Sequence, residues 1–131
     1  MNEAKFTTEF LRWAKYNWTP GLSGPFEAKF TKGKSIPFNH LKEHQNNALK
    51  QAGTKFFGYK IVDVGNFPKP FDGIIYSGAP AWMVVQYYTR GCKTFYIIEI
   101  SDWNKAEETC GRKSLTEPMA KDIAYRVGIL K

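Results

Sequence analysis

Residues 26 to 53 decide how this chain reads: Phe26-Glu27-Ala28-Lys29-Phe30-Thr31, then Lys32-Gly33-Lys34-Ser35, then Ile36-Pro37-Phe38 and a run ending at Gly53. The first six residues alternate apolar and polar, the period of a strand, which places Glu27 and Lys29 on one face. Lys32 to Ser35 form a turn. Pro37 precedes a helix predicted from about Asn39 to Ala52, with Leu41, Ala48, Leu49 and Ala52 along its apolar stripe and Gly53 as its stop.

Working outward, Thr7 to Asn17 predict a first helix. Phe6, Phe10, Trp13 and Ala14 recur on one face, with Glu9, Arg12 and Lys15 off the stripe. Pro20-Gly21 and Gly24-Pro25 separate it from the strand. Beyond Gly53 the period falls to two, predicting strands over Phe56–Val64, Gly73–Tyr76, Trp82–Tyr88 and Thr94–Ile100, with turns at Asn66–Pro70 and Ser77–Pro80. A final helix opens at Leu115-Thr116-Glu117-Pro118, with Thr116 as N-cap and Pro118 in the first turn. The expectation is an α+β fold, a mixed central β-sheet flanked by helices. With no repeat, low-complexity stretch or long linker, residues 1–131 read as a single domain.

Composition narrows the function classes. Nineteen Lys and Arg against twelve Asp and Glu give a formal charge of +7, which suits a polyanionic partner. No apolar run approaches the roughly 18 to 20 residues of a membrane span, and the charged start MNEAKFTTEF has no apolar signal core. Cys92 and Cys110 lack C-x-x-C spacing and read as free thiols in a reducing compartment, so the expected setting is cytoplasmic.

Four features, one of them a pair, carry potential chemistry. Glu27 and Lys29, two apart on a strand, aim a carboxylate and an ammonium at one point, the pairing that metal-assisted phosphodiester hydrolysis uses; a solvated surface pair is the alternative. Gln45 falls inside the apolar stripe of the second helix, where an amide either packs against a backbone edge or reaches into a polar site, with His44 beside it. Asp72, in Pro70-Phe71-Asp72-Gly73, is either a turn residue or a ligand entering an apolar strand. Glu9, at the edge of the first helix's stripe, is a salt-bridge partner or a further metal ligand.

Taken together, Phe26 to Thr31, Ile36-Pro37-Phe38 and His44-Gln45 resemble the segment after the central strand of PD-(D/E)xK nucleases. They are most similar to Holliday junction resolvases of the bacterial RecU type and their phage relatives, over roughly residues 26 to 60. The resemblance implies a restriction-endonuclease-like core and a Mg²⁺-dependent endonuclease (Mn²⁺ a possible substitute) acting on branched DNA. It also implies a homodimer whose twofold matches a four-way junction, and it points to a phage or prophage origin. Glu27 becomes a metal ligand, the Ala28 carbonyl completes the coordination, Lys29 is the catalytic lysine, Gln45 lines the site and Glu9 matches the acidic residue of the first helix.

One departure stands out. The family aspartate lies upstream of E-x-K, yet no acidic residue separates Glu9 from Glu27. Asp72 is the expected substitute, because Pro70-Phe71-Asp72 looks like the "PD" half of the motif, and its downstream strand carries Gln86-x-Tyr88 where E-x-K would stand. Asp63 is the fallback. A non-cleaving nucleic-acid-binding module on the same fold, and a nuclease of unbranched DNA, are the rival readings.

Phosphate contacts are expected from Lys32, Lys34, Lys42, His44, Lys50 and Lys55. Trp13, Trp18, Trp82 and Trp103 read as core residues before stacking platforms. The first helix or the aromatic strands are expected to carry the dimer interface.

Overall fold

The computed structural model describes residues 1–89 and 91–131. Strand β1 (Phe26–Thr31) lies at the edge of a four-stranded sheet with β5 (Trp82–Tyr87), β6 (Thr94–Glu99) and β8 (Arg126–Ile129), in the order β1-β5-β6-β8. β1 runs parallel to β5, and the other two pairings are antiparallel, so the sheet is mixed. β5 is buried along its whole length, as a strand covered on both faces must be.

Register assigns the faces. Glu27 sits opposite Met83 and Lys29 opposite Val85, whereas Ala28 meets Val84 and Phe30 meets Gln86. The first face joins Met83, Val85, Tyr96 and Ile98 to a core with Leu49 and Trp103. This core is roofed by α2 (Glu43–Thr54), α3 (Ile100–Thr109) and α4 (Glu117–Ile123). The second face packs Ala28, Val84, Phe95 and Ile97 against Phe6 and Phe10 of α1 (Glu3–Asn17). Each fully buried aliphatic side chain of these layers contributes about 1.5–3 kcal/mol. A small antiparallel pair, β2 (Ser35–Pro37) with β7 (Ser114–Thr116), closes the first core through Ile36 opposite Leu115.

The sequence expectation of a mixed sheet flanked by helices in an α+β chain holds, with local changes. The second helix begins later than expected: Phe38–His40 form a single 3-10 turn, Leu41 is extended, and α2 starts at Glu43. α1 begins earlier, where the Asn2 side chain accepts the Lys5 N–H at 2.8 Å. The strand expected over Phe56–Val64 ends at Lys60, because Val64 to Phe67 fold into a tight turn with Gly65 at φ 56°. The strand expected to reach Ile100 stops at Glu99. There α3 starts, its Ile100, Trp103 and Ala106 spaced to bury one stripe. The Thr116 cap is present, its hydroxyl accepting from Met119 N–H at 3.4 Å.

β3 (Phe56–Lys60) and β4 (Gly73–Ser77) form a separate antiparallel ribbon between α2 and β5, paired only with each other. Its contacts with the body run through α2. At the other end of β1, Gly24 takes φ 111°, and a Cβ there would fall on the Pro80 carbonyl oxygen; only glycine brings the chain into β1 by this route.

Candidate functional site

The site begins where β1 and α2 meet. Because β1 alternates, Glu27 and Lys29 leave the strand on the α2 side, and the Lys29 Nζ lies 3.2 Å from Glu27 Oε1. The Lys29 side chain is only 11% exposed and that of Glu27 is 27% exposed, so this ion pair is far drier than a surface pair. Gln45 completes the group: its Nε2 donates to Glu27 Oε1 at 3.2 Å, while its Oε1 accepts the Lys42 backbone N–H at 3.0 Å. That second bond ties down one end of α2 and fixes the amide that faces Glu27. Asn46, the next residue, exchanges two hydrogen bonds with Asn104 at 2.8 and 3.0 Å, which locks α2 to α3. Both readings of Gln45 therefore meet in one side chain.

The remaining expected residues lie elsewhere. Asp72 is not brought into the Glu27 network. It sits at the base of the ribbon's tip, its side chain 98% exposed and 3.4 Å from Lys69 Nζ. Asp63, the fallback, is 84% exposed and pairs with the same ammonium at 3.2 Å. The physical reason is topological: residues 61–72 extend the ribbon outward, with Ile61 N–H donating to Asp72 O at 2.8 Å, instead of laying a strand beside β1. The slot that Glu27 and Lys29 are expected to share with Asp72 thus holds only the first two. Gln86, in the expected E-x-K position of the next strand, faces the opposite side of the sheet from Lys29 and is fully buried.

Glu9 also stands apart. α1 covers the Ala28 and Val84 face, so Glu9 is across the sheet from Glu27; it lines a pocket of about 290 Å³ with Arg12, Trp13 and Tyr16. Trp13 is covered by Arg126, whose guanidinium lies 4.8 Å from its ring centre. Sequence reading missed Arg126, for it lies 109 positions beyond Asn17, whose carbonyl it also holds at 2.7 Å.

Lys32, Lys34, Lys42, His44, Lys50 and Lys55 are all exposed, as phosphate contacts must be. Lys32 and Lys34 occupy the turn after β1, beyond its C-terminal end, and Lys42 precedes α2, where its backbone N–H meets the Gln45 amide. Lys50 lines a different pocket, about 490 Å³, with Thr54, Glu99, Ser101 and Asn104. Of the tryptophans, Trp82 and Trp103 are buried, Trp13 is half-buried and Trp18 is exposed.

The donor set of one chain does not fit a divalent cation. Glu27 is the single carboxylate of the group, and its Oε1 already accepts from Lys29 and Gln45. Among the described residues no three His, Cys, Asp or Glu side chains gather in a metal-holding arrangement. Among them, too, no helix is long and apolar enough to cross a membrane. No family model, curated protein or solved structure matches the chain.

Proposed function

We propose that this protein is a structure-selective DNA endonuclease of the PD-(D/E)xK type, acting on branched DNA as Holliday junction resolvases do. The observation that carries the reading is the convergence of Glu27, Lys29 and Gln45 at the edge strand β1, three residues of the resembling segment joined by contacts of 3.2 Å. A solvated surface pair would leave Lys29 exposed and would not recruit a glutamine from a helix 18 positions away. Lys29 supplies an ammonium held in a dry setting by Glu27, fixed in place to meet the charge of a phosphodiester. Exposed Lys32 and Lys34 after β1 and Lys42 before α2 supply phosphate-backbone contacts without base readout, as recognition of DNA shape requires. In this reading the mixed sheet with E-x-K on one strand is a restriction-endonuclease-like core.

A second reading, a binding module that holds branched DNA without cutting it, is favoured by one specific observation. Asp72 makes its ion pair with Lys69 and leaves Glu27 the single carboxylate of its group. Labelled four-way junction, duplex and single strand, each incubated with Mg²⁺, with Mn²⁺ or with EDTA, separate the two. The endonuclease nicks the junction in Mg²⁺, stops in EDTA and is silenced by Glu27→Ala and Lys29→Ala. The binding module retains junction affinity in all three conditions and releases no product.

A further inference from the structure

β8 is the edge of the main sheet farthest from β1. Among the described residues it pairs only with β6, in unbroken register from Arg126 opposite Ile97 to Ile129 opposite Thr94. Leu130 N–H donates to Lys93 O at 2.9 Å, so strand alternation turns the backbone N–H and C=O groups of Val127 and Ile129 outward. Edge strands are ordinarily blunted by a charge, a proline or a bulge. Here the two outward positions hold β-branched apolar residues, Val127 46% and Ile129 65% exposed. The edge is left ready for another strand.

Beside that edge lies the pocket of about 290 Å³, lined by Glu9, Arg12, Trp13 and Tyr16 of α1 and by Leu130. Leu130 belongs to the α1 side of the sheet, as do Arg126, against Trp13, and Gly128, against Phe95. A strand laid along β8 sets every second side chain on this side, one of them over the pocket.

Charge and hydrogen-bonding chemistry select the occupant. Lys15 lies over the Tyr16 ring at 5.6 Å, Arg126 over the Trp13 ring at 4.8 Å, and Lys93 stands across from Leu130. With Arg12 these make four cations against the single acid Glu9, 4 − 1 = +3. The ion pairs of the described residues involve none of them. A DNA backbone is also anionic, but its phosphates only accept hydrogen bonds, whereas an open strand edge presents donors and acceptors together. The Trp13 ring, set against Phe10 and Arg126, is already engaged and does not offer a stacking platform for a base.

We infer that β8 and the α1 pocket form a docking site for an extended acidic peptide segment of another protein, which joins the main sheet as a further strand. Its backbone pairs with Val127 and Ile129, one apolar side chain enters the pocket between Trp13 and Leu130, and its carboxylates meet Arg12, Lys15, Lys93 and Arg126. The α1 side lies across the sheet from Glu27, so this site goes beyond the endonuclease reading and does not depend on it.

The test titrates the full chain into a fluorescein-labelled peptide of alternating aspartate and valine with one central phenylalanine, read by anisotropy. A counterpart with lysine in place of aspartate and a labelled single-stranded DNA run beside it. The acidic peptide should bind and the lysine counterpart should not. Ile129→Pro removes an outward N–H and leaves the β6 ladder intact, so circular dichroism should be unchanged while binding weakens by about tenfold or more. Arg12→Glu, at an exposed helix position, should weaken it by a similar factor, and Glu9→Gln should strengthen it. Amide exchange at Val127 and Ile129, fast in the free chain, should slow when the peptide is added. An acidic peptide that fails to bind, a lysine counterpart that binds as well, or binding indifferent to both Ile129→Pro and Arg12→Glu overturns the proposal. DNA that binds more tightly than the peptide, is lost in Arg12→Glu and is untouched by Ile129→Pro overturns it too, and makes this face a nucleic-acid surface. Slow exchange at both amides in the free chain also overturns it, for the edge is then already covered by a second copy.

Discussion

Gln45 and Glu27, 18 positions apart, are joined through Nε2 and Oε1 at 3.2 Å, and the same glutamine accepts the Lys42 N–H at the start of α2. One side chain therefore couples the helix terminus to the acid of the site. Gln45→Ala removes both contacts and should cost about 1–2 kcal/mol of stability, with a drop in nicking. Gln45→Glu keeps an acceptor for Lys42 but places a second carboxylate against Glu27. Its melting temperature should fall in EDTA and rise with added Mg²⁺ by more than that of the wild type. Differential scanning calorimetry with and without the cation measures both effects.

The two members of the ion pair should behave unequally. Lys29 is nearly buried beside Val85, so Glu27→Ala leaves an ammonium without its carboxylate in an apolar setting and should cost about 3 kcal/mol. Lys29→Met fills the same space without charge, and Glu27, the more exposed partner, retains Gln45. That variant should lose well under half as much stability. The double variant should recover most of the loss caused by Glu27→Ala. Urea denaturation of the wild type and the three variants gives the coupling directly.

What was legible in the sequence followed from short-range periodicity. The alternation of Phe26 to Phe30 gave the face shared by Glu27 and Lys29, and the position of Gln45 inside a helical stripe predicted an amide with a buried task. Asp72 failed to appear beside them because its place depends on where residues 61–72 are carried. The Val64–Phe67 turn carries them away from the sheet. α3 was missed for a related reason: Phe95 to Ile98 is continuously apolar and Ile100 extends the pattern across Glu99, so only the spacing of Trp103 and Ala106 after Ile100 reveals the change of period. β8 carries Gly128 at mid-strand, a poor strand former by propensity. It is required there because a Cβ would enter the Phe95 ring.

Gln86 offers a stabilising substitution. It is fully buried on the α1 face, in register with Phe30, and neither its Nε2 nor its Oε1 has a hydrogen-bond partner among the described residues. An unpaired buried amide costs about 1–3 kcal/mol, so Gln86→Met, of similar length and without polar hydrogens, should raise stability by about that amount. The face is opposite Lys29, so nicking should be unchanged. A higher denaturation midpoint at equal denaturant slope confirms the gain; a lower midpoint shows that the amide is satisfied in solution.

Alkaline pH should weaken the fold through two tyrosines of the first core. Tyr87 donates its hydroxyl to Leu115 O at 2.8 Å, and Tyr96 donates to Glu117 Oε2 at 2.8 Å. Burial pushes both phenols well above the ordinary value near 10, and the Glu117 carboxylate adds to the shift in each. The folded chain therefore holds these protons more tightly than the unfolded chain does. Their contribution is fully present below pH 10 and is lost as pH rises from there through the raised values. Stability should fall above about pH 10 by up to about 1.4 kcal/mol per pH unit for each tyrosine. Tyr96→Phe abolishes one of the two titrations and should flatten that slope by about half. Glu117→Gln removes the charge but leaves the burial, and should flatten it less. Guanidinium midpoints collected from pH 8 to 11 on the three proteins test the order, and equal slopes throughout would place the alkaline loss in other groups.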